Sequence, residues 1–301
     1  MKTAPEDSAK PRRILVPVDF SDPSRQALGT AVALAKRFGS RLAVVHVTRR
    51  NRPDSHVVAD QFGMTFDTRR AGRAKLMEFI QGEVPDDLQP ARLVADGVPF
   101  DEIAKTAKAW DADLIVIATH GYTGLQHVLL GSTAERVVRH APCPVLVVRG
   151  RVKHGTKAAF SPDKVRSILV PVDFSKPSLE ALPHALALAQ QQNAQLTLIH
   201  VIEPFHPDMR IDTTQSQRDA RVAAHGRLGK LADATRRIWP RTGRELRAGA
   251  PVTTITALAQ RTNADLIVMG THGRTGVKRG LIGSVAERVV RHAPCSVLVV
   301  R

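Results

Sequence analysis

The sequence predicts an α/β protein made of two tandem, doubly wound domains. Each has a five-stranded parallel sheet in the strand order 3-2-1-4-5. Three observations carry this prediction. The chain is written twice: GSTAERVVRHAPCPVLVVR at 131–149 returns as GSVAERVVRHAPCSVLVVR at 283–301. RRILVPVDFSDPS at 12–24 likewise returns as RSILVPVDFSKPS at 166–178, and DLIVIATHG at 113–121 as DLIVMGTHG at 265–273. Within each copy, short runs that are almost wholly apolar alternate with amphipathic ones, as strands buried on both faces alternate with covering helices. Finally, 301 residues suit two domains of about 150 each better than one.

The elements follow in order. In the first copy the strands are expected at 14–18, 42–47, 91–95, 114–118 and 145–148. The first helix is expected over 24–39, where Leu28, Val32, Ala35 and Phe38 recur near helical spacing and Gly39 ends the run. Further helices are expected at 65–81, 101–110 and 133–140. The last is opened by Ser132 with Glu135 three residues on, a capping-box pattern that Ser284 and Glu287 repeat. The domains are expected at 12–149 and 165–301. A linker at 150–164 is rich in Gly, Pro and Lys and has no apolar periodicity. Residues 1–11 read as disordered.

Composition narrows the function classes. No apolar run reaches the roughly 20 residues that span a bilayer, and the first residues lack a signal-peptide core. With two cysteines, a reduced, cytoplasmic protein with no membrane partner is the expectation. The net charge of +16 invites a polyanion. The surplus falls mostly in the second copy, and it reads as spread over helices and linker. Helix-turn-helix, zinc-ligand and aromatic-platform signatures are lacking, so no specific nucleic acid is expected.

In a doubly wound sheet the ligand crevice lies at the carboxyl ends of strands 1 and 4, where the strand order reverses. Strand 1 ends in Pro17-Val18-Asp19, and in the second copy in Pro171-Val172-Asp173. Either aspartate could accept hydrogen bonds from a sugar hydroxyl or a base amine. The alternative is a cap for the next helix, a role that Ser21 can itself fill. After strand 4 come Gly270-Thr271-His272-Gly273 and, nine residues later, Gly283-Ser284. The first copy has Ala118-Thr119-His120-Gly121 and Gly131-Ser132. A glycine hinge and a Gly-Ser pair opening a helix together form an anion cradle. The serine hydroxyl could cap its own helix and also donate to a phosphate.

On these residues the chain resembles the universal stress protein family, as a tandem two-domain member of its ATP-binding branch. The branch motif is G-x2-G-x9-G-(S/T). Gly270, Gly273, Gly283 and Ser284 complete it in the second copy. Gly121, Gly131 and Ser132 match it in the first, with Ala118 at the first glycine. The resemblance implies an adenine nucleotide, ATP or another, with or without Mg²⁺ as companion ion, whose phosphates lie on the x9 loop and the last helix. It implies a nucleoside near Asp173 and Val201, with Pro171, Val172, Met269 and Val285 at pocket positions. The first-copy counterparts are Pro17, Val18, Asp19, Val47 and Thr133. Arg274, Lys278 and Arg279 stand on the second x9 loop where the first has Tyr122, Gln126 and His127, so the second site is expected to bind more tightly. The methyl of Ala118 either crowds the ligand or is harmless at negative φ. The resemblance also implies that the two copies pair through strand 5 as an intrachain pseudo-dimer. It leaves a homodimer of whole chains and an unidentified regulatory protein partner open.

Other residues read as structural. His120 and His272 have no carboxylate or nucleophile at fixed spacing. His140 and His292 sit in the last turn of a helix, a favourable dipole position. His46 and His200 read as packed strand residues, and Cys143 and Cys295 as small buried apolar ones. Slow ATP hydrolysis is a competing function. It needs positioned phosphates, a metal and a group that orients water. A GxxxxGK[ST] motif and a base beside the loop are both lacking, so no catalytic residue is named. A nucleotide-independent scaffold in stress signalling is the other alternative.

Overall fold

A computed structural model of the chain describes residues 10–48, 68–119, 131–149, 151–153, 156–158, 160–203, 213–271 and 283–301. The chain divides into two compact units, Pro11–Val148 and Arg149–Arg301. In the first unit the strands are β1 (Arg13–Val18), β2 (Arg41–Thr48), β3 (Ala91–Asp96), β4 (Leu114–Ala118) and β5 (Val145–Val148). All are parallel, in the order β3-β2-β1-β4-β5. The helices are α1 (Asp22–Phe38), α2 (Thr68–Ile80), α3 (Pro99–Ala109) and α4 (Ser132–His140). The strand order is the one predicted, because β1 is central and flanked by β2 and β4.

The core is aliphatic. Ile14, Leu15 and Val16 of β1 and Val44 and Val45 of β2 are fully buried. Each such side chain contributes about 1.5–3 kcal/mol through burial. The start of β1 is held by Asp113, whose carboxylate accepts from the Arg12 amide at 2.8 Å. Ser21 caps α1, accepting from the Ser24 amide at 3.3 Å, and Gly39 ends it in the left-handed region at φ 64°.

The second unit repeats this pattern. Its strands are β8 (Ser167–Pro171), β9 (Gln195–Ile202), β10 (Thr242–Ala248), β11 (Leu266–Gly270) and β12 (Ser296–Val300). Their order is β10-β9-β8-β11-β12. The helices are α5 (Lys176–Gln192), α6 (Thr213–Ile238), α7 (Pro251–Arg261) and α8 (Ser284–His292). Asp265 takes the place of Asp113, accepting from the amides of Arg166 and Ser167 at 2.9 and 3.0 Å. Ser175 caps α5, and Asn193 ends it at φ 51°.

Two expectations need correction. The stretch expected as a linker, for which no strand was predicted, holds an antiparallel pair, β6 (Arg151–Lys153) with β7 (Thr156–Ala158), three residues in each strand. Strands this short carry too little pattern to be read from sequence. The second correction concerns α4 and α8. Gly131 and Gly283, not the serines, are the N-caps, with extended φ/ψ of −61°/140° and −66°/144°. Ser132 and Ser284 are the first helical residues, and neither helix has a side-chain cap. Glu135 and Glu287 pair instead with Arg139 and Arg291, one turn on, at 3.3 and 3.6 Å. No capping box forms.

Candidate functional site

Beyond the last residue of β8, Val172 continues toward the edge of the sheet. Its amide donates to the Ile199 carbonyl at 2.8 Å. Its own carbonyl lies 2.6 Å from Nδ1 of His200 on β9. Asp173 follows, then Phe174 in the left-handed region at φ 64°. This turn lets Oδ1 of Asp173 accept from both the amide and the hydroxyl of Ser175, at 3.0 and 2.6 Å. The aspartate thus orients the N-cap serine of α5 rather than capping the helix itself. The first unit repeats the arrangement: Oδ1 of Asp19 accepts from the amide and hydroxyl of Ser21 at 3.2 and 2.6 Å. Nδ1 of His46 lies 2.9 Å from the Val18 carbonyl. His46 and His200 are therefore packed, hydrogen-bonded strand residues. They also stack against Phe20 and Phe174, at centroid distances of 4.2 and 4.6 Å.

Across the reversal point, Thr271 leaves β11 with its amide on the Val300 carbonyl at 2.9 Å. The Gly283 amide returns to the Thr271 carbonyl at 2.7 Å. Thr271 and Gly283 therefore meet at the carboxyl end of β11, and the amino end of α8 opens there. Gly131 and Thr119 make the same 2.7 Å bond in the first unit. Gly273, Arg274, Lys278, Arg279 and His272 lie outside the described residues, as do Gly121, Tyr122, Gln126, His127 and His120.

These elements enclose a cavity of about 320 Å³ in the second unit, a size typical of small-ligand sites. Nine of the expected residues line it: Pro171, Val172, Asp173, Val201, Met269, Gly270, Gly283, Ser284 and Val285. Sequence reasoning did not place Ser178, Glu203, Pro251, Ile255 and Thr271, which line it too. Pro251 and Ile255 come from the amino end of α7. The Gly249-Ala250-Pro251 turn was the available signal, since Gly249 sits at φ 141° and Pro251 stands in the first turn of the helix.

Gly270 has a steric role distinct from the ligand. A Cβ built there would lie 2.5 Å from the Pro177 carbonyl oxygen and 2.9 Å from the Ser178 amide nitrogen. The absent side chain lets the start of α5 close onto the end of β11. Gly270 is not among the positive-φ glycines. A methyl group at this position of the second unit would therefore meet the helix backbone.

In the first unit, Ser132 and Thr133 line a different cavity, of about 570 Å³, formed with the start of α3 and Arg136. Its lining does not include Pro17, Val18, Asp19, Val47 or Ala118. Gly131 lies beside Thr119 at the carboxyl end of β4, through the bond already described. Cys143 and Cys295 are buried free thiols. Among the described residues, no group of three or more His, Cys, Asp or Glu is placed to hold a metal ion, and no helix is long and apolar enough to cross a membrane.

Over 143 residues the chain is 34% identical to a universal stress protein of Methanocaldococcus jannaschii, an alignment covering 45% of this chain and 82% of that one. The fold matches that of a universal stress protein from Archaeoglobus fulgidus at a TM-score of 0.63 and 22% identity, covering 96% of this chain and 98% of the other. It matches a functionally unknown protein from Pseudomonas aeruginosa at a TM-score of 0.67 and 19% identity, covering 98% and 94%. The model of the universal stress protein family matches twice, over residues 10–149 and 164–301. With both halves matched, the chain belongs to the universal stress protein family.

Proposed function

We propose that the second domain binds an adenine nucleotide, ATP foremost, and that the chain serves the stress response as a nucleotide-responsive regulatory protein. The observation that carries this reading is the convergence of nine residues expected from the sequence, three of them from the motif, on one cavity at the topological switch point. The amino end of α8 offers backbone N–H groups and the positive end of the helix dipole to a phosphate. Ser284 lines the same wall, and because it does not cap its helix its hydroxyl is available to donate. Asp173 supplies a carboxylate for a ribose hydroxyl or a base amine. Val172, Met269 and Ile255 supply apolar surface for the base.

In this reading Gly273 gives the x9 loop its close approach, and Arg274, Lys278 and Arg279 add charge-assisted contacts to the phosphates. Mg²⁺, when bound with the nucleotide, would neutralise part of the triphosphate charge. The chain's own residues bind and orient. The first domain, with Ala118 and an uncharged x9 loop, is proposed as the weaker site.

Mass spectrometry of small molecules released from gently purified full-length protein tests this reading. An adenine nucleotide in the wild type and its loss from a Gly283→Val variant are expected. Absence of any nucleotide, together with failure of added ATP to bind, would defeat the reading.

A further inference from the structure

Within the second copy the charge surplus is concentrated in one stretch, rather than spread over helices and linker as expected. The layer formed by α6 and β10 with the turn between them, residues 213–248, holds nine Lys and Arg against three Asp and Glu. The equivalent layer of the first unit, residues 68–96, holds five against five. The same architecture thus carries a net +6 in one copy and zero in the other. Arg218, Arg221, Arg227, Lys230, Arg236, Arg237, Arg241 and Arg244 are all exposed.

Internal contacts account for only part of this surplus: Arg227 lies over the Phe174 ring at 4.2 Å, and Arg241 donates to Asn193 at 2.9 Å. Only Arg236 and Arg247 make ion pairs among the described residues of the layer, with Asp233 and Glu245, both at 2.7–2.8 Å. Protection of an edge strand does not account for the rest. Charge of either sign protects an edge, and β3 of the first unit has Arg92 and Asp96 with no net excess.

The composition favours one kind of partner. Eight of the nine cations are arginine, whose planar fork matches phosphate oxygens in pairs. An α-helix of 26 residues is about 39 Å long, close to the roughly 34 Å of one duplex turn. A membrane surface fits less well, since it requires an exposed apolar helix face. The apolar side of α6, including Ala224, Leu228 and Ala232, is buried in its own domain. Its exposed large apolar residues, Val222 and Ile238, are separated along the helix.

We propose that the α6–β10 face of the second domain binds the phosphate backbone of nucleic acid without reading its bases. The proposal is independent of the nucleotide cavity. It is tested with full-length protein and a 20-base-pair DNA duplex of arbitrary sequence, by fluorescence anisotropy from about 50 to 200 mM salt. One variant carries Arg218→Gln, Arg221→Gln, Lys230→Gln and Arg237→Gln. A control removes the same charge from the equivalent layer, through Arg70→Gln, Arg73→Gln, Lys75→Gln and Arg92→Gln. The wild type is expected to show a log–log salt slope of at least about −3, since each phosphate contact contributes about −0.9. The first variant is expected to bind at least about tenfold more weakly than the control. Equal weakening in both variants would mean that net charge alone acts, and would overturn the proposal. So would a flat salt slope in the wild type, which requires no variant to fold. Tighter binding to vesicles rich in anionic lipid than to the duplex would also overturn it, in favour of a membrane.

Discussion

The Gly283 amide donates to the Thr271 carbonyl at 2.7 Å, and Gly131 meets Thr119 at the same distance in the other domain. This bond closes the base of the x9 loop and fixes where the last helix begins. It also makes glycine, rather than serine, the helix cap. The hydroxyl of Ser284 is thereby released from structural duty at the cavity wall.

That release separates two serines by experiment. Ser175 is a working N-cap, so Ser175→Ala should cost about 1 kcal/mol of stability. Ser284→Ala should change stability by no more than about 0.5 kcal/mol while weakening ATP binding severalfold. Thermal unfolding and titration of the same variants check both. A large stability loss at Ser284 would restore the capping role.

Gly270 should tolerate no side chain. A methyl group would press on the backbone of Pro177 and Ser178, and overpacking of this kind costs about 1–3 kcal/mol. Denaturant unfolding of Gly270→Ala should show this loss. A neutral result would mean that the start of α5 gives way to the methyl group.

Asp173 has a structural role and a proposed ligand role, and two readouts distinguish them. Its Oδ1 organises Ser175, so Asp173→Ala should lower stability by about 0.5–2 kcal/mol and also weaken ATP binding at least tenfold. Ser175→Ala should reproduce the stability loss and leave most of the affinity. Parallel affinity losses in both variants would reduce Asp173 to a purely structural residue.

Burial lowers the pKa of His184 on α5 below its ordinary 6.5. The folded protein resists a proton that the unfolded chain accepts, so stability is fully present above pH 6.5 and falls as the pH drops below it. Denaturation midpoints at pH 7.5 and 5.0 should converge in His184→Gln relative to the wild type. Unchanged pH dependence in the variant would contradict this.

The fold was legible because its signals are dense and repeated. The strands were found within a residue or so of their ends, since fully buried runs such as Ile14–Val18 have no polar interruptions. Gly39 marked the end of α1 correctly because it alone there adopts positive φ cheaply. The candidate cavity was legible where a lining residue follows a strand or starts a helix, as at Asp173 and Ser284. Ser178, Glu203 and Ile255 were missed because they reach the cavity through the packing of separate elements, which spacing along the chain does not encode. The capping box failed for a local reason: Gly131 and Gly283 adopt the extended cap conformation one residue before the serines. The cations of 213–248 lie in one stretch of sequence, but their exposure on α6 and β10 is a property of the fold.

The central claim is that the second domain holds an adenine nucleotide in the cavity at the ends of β8 and β11. Isothermal titration of full-length protein with ATP addresses it most directly. The account predicts saturable binding that Gly283→Val removes, with Tm changed by only a few degrees. No measurable binding by the wild type, or undiminished binding by the folded variant, would contradict it.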